Sequence, residues 1–321
     1  MRPTSDLRLR ATMAAGALTT AALLAGPLAP RAAGVSPVAT VAAPGVSLKL
    51  HDRTLRYGDP VVVSGRVRAA RDGRDVVLEH RTTRGTWLTV ARGVTRDRGV
   101  FRLRAVVPRS GLLRVSAPSV GAASASSPAL VSVSRERGLR VAARVSVTRR
   151  QATVRTGSAA RWTGRVRPGV AGRLVVLQRR SGGRWVTIAH TRTRRGGSYA
   201  VRYRPRSSFS GAVRVRASGT VTLAAGSHRA GRLAALRPAL ASWYGGGGTM
   251  ACGAQLTAST MGVAHKSLPC GTMVTIRYAG RQVRVPVTDR GPFIGAREWD
   301  LTPAVRSRLG FQGVGTIWVA Y

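Results

Sequence analysis

The chain has 321 residues, room for about two or three compact domains. Its 44% hydrophobic and 20% charged residues support packed cores and exclude wholesale disorder, while 5% aromatics means cores built mainly from Val, Leu and Ala. With 53 Lys+Arg against 11 Asp+Glu, the net charge is +42, so the surface attracts polyanions in a salt-dependent way.

Almost all of these cations are arginine; lysine occurs only at Lys49 and Lys266. A GC-rich coding sequence is an alternative source of that bias. The chain opens with Arg2, Arg8 and Arg10, followed by the uncharged run "ATMAAGALTTAALLAGPLA". A basic start, a short apolar stretch and small residues after it read as a secretory signal peptide. Cleavage would fall after Gly34 or after Ala43, so residues 1–43 are assigned to the signal and the start of the mature chain. An uncleaved anchor is the competing reading; the Ala/Gly/Thr-rich run and Pro27 speak against it. No cysteine lies nearby to carry a lipid, and no later segment is apolar enough to span a bilayer. The mature chain is expected to be secreted or associated with the cell wall, extracytoplasmic and monomeric. Export argues against nucleic acid as the polyanion and leaves lipid headgroups and anionic wall polymers.

Residues 44–134 and 141–226 read as two copies of one module. "VVSGRVR" (62–68) matches "RWTGRVR" (161–167), and "VVLEHRTTRGTWLTVA" (76–91) matches "VVLQRRSGGRWVTIAH" (175–190). Phe101, Leu103 and Ala105 alternate with Arg102 and Arg104, the pattern of a half-buried strand. Turn signals such as "RDG", "RRG" and "RSG" recur between such runs, which predicts β-sandwiches. At the level of pattern the copies resemble the immunoglobulin-like repeats of bacterial surface proteins, a resemblance that names no ligand. Trp87 and Trp185 are expected in the sandwich cores and the arginines on the solvated face. His51, His80, His190 and His228 are isolated, and the modules carry no catalytic constellation. Residues 227–239 read as a linker with one helical turn.

The texture changes near residue 240. "TMVTIRY", "AG" and "QVRVPVT" predict strand, turn and strand; "WDLTPAVRSRLGF" predicts a short helix with Asp300 and Thr302 as N-cap candidates and Gly310 as its stop. "VGTIWVAY" predicts a closing strand. Cys252 and Cys270 are the only cysteines, and an even pair in an exported chain reads as one disulfide, worth ~3 kcal/mol by loop closure. A zinc pair has no four-ligand spacing, since only His265 is near. No metal or organic cofactor is expected.

Taken in order, "ASWYG", "TMACG", "LTASTMGVAHKSLPCGT", "VPVTDRGPF", "REWDLT" and "LGFQGVG" resemble the RlpA-like (rare-lipoprotein-A-like) domain, in a cysteine-bearing form similar to its actinobacterial branch. The resemblance covers residues 240–321. It implies a six-stranded double-psi β-barrel related in fold to expansins, so the expected architecture is mainly β: two tandem immunoglobulin-like sandwiches, then the barrel. It also implies work on peptidoglycan glycan strands, which some members cut as lytic transglycosylases, leaving 1,6-anhydro ends, and others bind or loosen. Matched residue by residue, the candidate catalytic groups are Asp289, His265 and Asp300. Glycan-cutting members carry an acidic residue just after the segment "ACG", where this chain has Ala254 and Gln255.

The residues themselves allow the chemistry. Glycosidic cleavage needs an acid to protonate the leaving oxygen, and a lytic reaction needs no bound water because the sugar's own 6-hydroxyl attacks. Asp289 ends a strand before a glycine-proline turn and is the expected acid/base; the alternative is a carboxylate that accepts the turn's own amides. Asp300 is expected mainly as a helix cap and Glu298 at the surface. His265 is a groove residue or a structural histidine. Trp243 and Tyr244 stack on sugar rings or sit in the core, whereas Trp299 reads as core. Arg290 and Phe293 flank the turn as further substrate contacts. The sequence thus carries two readings: an exported lytic transglycosylase with Asp289 as its acid/base, or a non-catalytic wall-binding module, both anchored by basic sandwiches.

Overall fold

A computed structural model describes residues 45–70, 72–118, 131–150 and 152–321. The signal-peptide assignment lies outside the described residues. Among those described, no helix is long and apolar enough to cross a membrane.

The protein is mainly β, and the two repeats fold alike. In the first, a sheet of Lys49–Leu50, Pro60–Arg66 and Val100–Val106 faces a sheet ordered Thr54–Arg56, Arg137–Ala142, Gly111–Pro118, Asp75–Arg81 and Leu88–Val94. In the second, Arg144–Arg150, Ala160–Arg167 and Ser198–Tyr203 face Thr153–Arg155, Gly226–Trp243, Phe209–Ala217, Leu174–Ser181 and Arg184–Arg192. Alternation decides which face is buried: Phe101 and Leu103 point into the first core, Tyr199 and Val201 into the second. The glycine shared by "SGRVR" and "TGRVR" has a steric cause. A Cβ on Gly65 would lie 2.0 Å from the Ser47 carbonyl oxygen, and one on Gly164 1.9 Å from that of Ser146.

Trp87 and Trp185 are not in the cores, contrary to expectation. Each lies partly exposed on a sheet face under an arginine: Arg114 stands 4.1 Å from the Trp87 ring centroid and Arg214 4.4 Å from that of Trp185. The tryptophan that fills the second core is Trp162, fully buried. Guanidinium groups from neighbouring strands cover the indole faces instead, at about 0.5–1 kcal/mol per stack.

The segment expected as a linker at 227–239 is instead most of one 18-residue strand, Gly226–Trp243. It has no helical turn. Its first half pairs antiparallel with Phe209–Ala217 and completes the second sandwich. From Arg237 it pairs with Gly315–Ala320, and from Ala241 with Trp299–Leu301. Leu233 and Ala235 are buried in the sandwich core, Ala239 and Ala241 in the next one. Arg137–Ala142, between the two expected repeats, plays the corresponding part in the first sandwich and runs straight into Arg144–Arg150.

Six strands then close a barrel: Gly226–Trp243, Trp299–Leu301, Val263–His265, Arg281–Asp289, Met273–Tyr278 and Gly315–Ala320, the last pairing back to the first. The hairpin turn at Ala279 and Gly280 uses positive φ at both residues, as a tight two-residue connection requires. The helix spans Pro303–Leu309 and packs Val305 and Leu309 into the barrel core with Trp299, Phe311 and Ile317. Gly310 ends it in the left-handed conformation.

Candidate active site at the barrel mouth

Strand register builds the site. Ser242 pairs with Asp300, Asp300 with Ala264, and Ala264 with Asp289, so these four residues form one row across four neighbouring strands. Trp299 and Leu301 on either side of Asp300 are fully buried. Alternation therefore turns Asp300 to the face opposite these core residues. Asp300 is a strand residue and not the helix cap expected of it. The cap position belongs to Thr302, whose hydroxyl is used elsewhere: it donates to the Thr260 carbonyl at 2.6 Å, with the Gly262 carbonyl at 3.0 Å beside it.

The two aspartates have different surroundings. Asp289 Oδ1 accepts hydrogen bonds from the amides of Ala251 and Arg290, each at 2.8 Å. The amide of Ala251 comes from the loop that Cys252 ties to Cys270, the disulfide expected from sequence, with Cα atoms 5.8 Å apart. Arg290 does not turn its guanidinium to the Asp289 carboxylate; its Nη2 lies 3.4 Å from the Cys270 sulfur. Asp300 Oδ1 is buried without a hydrogen-bond partner. Burial pushes the Asp300 carboxyl above its ordinary range, the charge of Asp289 adds to that, and Ser242 and Arg297 pull against it. Tyr244 completes the group. Burial, then the negative charge of Asp289 and more weakly that of Asp300, hold its hydroxyl neutral far above the ordinary tyrosine value.

His265 stands apart from this row. It pairs with Trp299, and its ring packs on that indole at 4.4 Å between centroids. Its Nδ1 accepts the amides of Ser267 and Leu268, both at 3.1 Å, so in the neutral ring Nε2 carries the proton. Nε2 faces Glu298 Oε1 at 3.8 Å. Burial lowers the His265 pKa and the Glu298 charge opposes this. Glu298 is not a bare surface group: Arg237 grips both its oxygens, and this holds the Glu298 carboxyl below its ordinary value.

The candidate sugar contacts diverge. Trp243 is 37% exposed, with Arg306 stacked 4.0 Å from its centroid, so one ring face is covered. Phe293, two residues past Gly291, is 78% exposed and Ile294 beside it 65%. Ala254 and Gln255 lie in an exposed turn where Gln255 Nε2 donates to Thr249 Oγ1 at 2.8 Å. Ser242 and Arg297 were missed by sequence reasoning. The apolar–polar–apolar alternation of "WDL" was the available signal, since it sets Asp300 on the row that Ser242 joins. Among the described residues no group of three or more His, Cys, Asp or Glu could hold a metal.

The closed six-stranded barrel carries its two aspartates on strands separated by Val263–His265. Residues 238–321 match the family model described as "Lytic transglycolase", and this C-terminal domain belongs to the RlpA-like double-psi β-barrels. It is 39% identical over 82 residues to the probable endolytic peptidoglycan transglycosylase RlpA of Aquifex aeolicus, covering 24% of this chain and 36% of that protein. It is 40% identical over 81 residues to the endolytic peptidoglycan transglycosylase RlpA of Neisseria meningitidis serogroup A, covering 24% and 34%. The chain thus spans about a third of the length of the curated relatives it matches. Among solved structures, the Streptomyces papain inhibitor is similar at 28% identity and a TM-score of 0.24, over 27% of this chain and 94% of that one.

Proposed function

We propose that the barrel binds peptidoglycan glycan strands at its mouth and cuts them as a lytic transglycosylase, with Asp300 as the proton donor. The observation that carries this reading is the unpartnered, buried Oδ1 of Asp300, on a strand separated from that of Asp289 by Val263–His265 alone. A carboxyl in that position keeps its proton to higher pH, as a general acid requires. Asp300 protonates the glycosidic oxygen as the bond to C1 breaks. The 6-hydroxyl of the same sugar attacks C1, closes the 1,6-anhydro ring and returns its proton to the Asp300 carboxylate. No water is consumed. Asp289, fixed in place by two amides, faces the positive charge that develops on the sugar. Tyr244 supplies a neutral hydroxyl beside it. Asp289, first expected as the acid/base, thereby becomes the electrostatic partner.

Phe293 offers an exposed ring to the polymer, Arg290 braces the disulfide-tied loop, and His265 with Trp299 and Glu298 secures the wall of the barrel. The arginine-rich sandwiches hold the protein on anionic wall polymers outside the cytoplasm, as a monomer. The binding-only reading is favoured by one observation, the amide of Gln255 and the methyl of Ala254 in the turn where glycan-cutting relatives carry an acid. Purified glycan strands treated with the parent chain, Asp300→Asn and Asp289→Asn separate the two. The expected outcome is anhydro-ended fragments from the parent, a loss of about 10²-fold or more in Asp300→Asn, and unchanged co-sedimentation with the glycan. Equal binding by all three without fragments would leave a binding module.

A further inference from the structure

The two sandwiches enclose a second site, remote in sequence from the barrel. They meet through a hairpin of the second repeat: Thr220 bridges Leu223, and Leu223 is buried in the core of the first sandwich. The amide of Ser110 donates to the Thr222 carbonyl at 2.7 Å, and Ala142 bridges Ala224. Beside this joint lies a crevice of about 920 Å³. Its walls include Leu88, Val170 and Leu174, which are 62%, 55% and 37% exposed.

The polar lining is cationic. Arg173, Arg192 and Arg109 line the crevice, and among the described residues no Asp or Glu does. Arg173 is only 7% exposed, yet its Nε and Nη1 are buried with no hydrogen-bond partner. Its backbone is fixed, the amide donating to Thr193 Oγ1 at 3.0 Å. His80, also lining the crevice and 5% exposed, has an unpartnered Nε2. Arg192 is engaged, its Nη1 donating to the Gly172 carbonyl at 2.7 Å. A buried guanidinium without a carboxylate or carbonyl is among the costlier arrangements a fold can hold, and it is resolved by an anion. The repeat sharpens the point. The equivalent arginine of the first copy, Arg74, also has an unpartnered Nε but is only partly buried, whereas Arg173 is enclosed at the joint with Nη1 unpartnered as well.

We propose that this crevice is a binding site for an oxyanion group, a carboxylate or a phosphate, taken by Arg173, the ligand's apolar part lying on Leu88, Val170 and Leu174. The site is independent of the barrel chemistry. It gives the sandwiches a pocket for one anionic group, distinct from diffuse attraction by their arginine-covered strands.

The test is calorimetric titration of the purified chain at fixed ionic strength with inorganic phosphate and, separately, with butyrate. Saturable binding is expected, weakened about tenfold or more in Arg173→Met and unchanged in Arg161→Gln, whose side chain is exposed on another sheet. Tighter phosphate binding assigns a phosphate-bearing ligand; tighter butyrate binding assigns a carboxylate with an apolar body. In the absence of anion Arg173→Met should melt no lower than the parent, because it removes an unpaired buried charge. No saturable binding of either probe, an equal loss in Arg161→Gln, or a lowered Tm in Arg173→Met would overturn the proposal.

Discussion

Asp300 and Asp289 show how one residue type takes two roles through its surroundings. Asp289 accepts two amides, whereas Asp300 meets a buried edge and keeps its proton longer. The raised value has a stability consequence. The folded state binds the Asp300 proton above the ordinary carboxyl value of 3.8 where the unfolded chain has released it. Stability is therefore lost as pH rises through that interval. Asp300→Asn should accordingly melt above the parent at neutral pH, and the advantage should shrink as pH falls toward the ordinary carboxyl range. A thermal melt series of both proteins checks this, and an advantage that grows on acidification would contradict it. His265 works in the other sense: its lowered value means that stability is lost as pH falls below the ordinary 6.5. His265→Gln, which keeps an acceptor but does not titrate, should flatten that limb of the melting curve. The candidates Asp289, Asp300 and Tyr244 were legible as residues in the sequence. Their division of labour was not, because it depends on register between strands far apart in the chain.

At the scale of elements, the strand Gly226–Trp243 is the joint of the molecule. It closes one core with Leu233 and Ala235 and opens the next with Ala239 and Ala241. Thr153 reaches Gln282 across the same joint at 3.0 Å, and Arg155 stacks on Trp318 at 4.2 Å. Leu233→Ala should cost about 2–5 kcal/mol, and hydrogen exchange should show faster opening in the barrel strand Gly315–Ala320 as well as in the sandwich. Exchange altered only in the sandwich would show that the two bodies are uncoupled. The run "SHRAGRLAALRPA" concealed this strand from sequence reading because both halves are buried unevenly, by two different cores, and no single period of two runs through it. The disulfide acts on a second element, the loop bearing Ala251. Replacing Cys252 and Cys270 by Ala should lower stability by ~3 kcal/mol in denaturant melts and weaken the amide grip on Asp289.

For the whole molecule, the architecture was readable because its signals are long-range in sequence but simple in kind. Two copies of alternating strands and six ordered motifs of the barrel specify the fold more firmly than any single residue. Trp87 and Trp185 were misread for a physical reason: hydrophobic bulk suggested core, while the stacked arginines cover their faces at the surface. The net charge of +42 belongs to this scale too. Retention on an anionic polymer surface through exposed arginines should fall steeply between about 0.05 M and about 0.5 M salt, whereas glycan binding at the barrel mouth should change little. Sedimentation with walls before and after removal of their anionic polymers checks both parts.

The most direct single measurement is mass spectrometry of the fragments that the purified chain releases from peptidoglycan sacculi between about pH 5 and about pH 8. Fragments with 1,6-anhydro ends are expected, and their release is expected to fall rather than rise with increasing pH, since burial raises the Asp300 carboxyl. No such fragments at any pH, with the protein still sedimenting with the sacculi, would contradict a cutting role and leave the aspartates as groups that hold and line a binding groove.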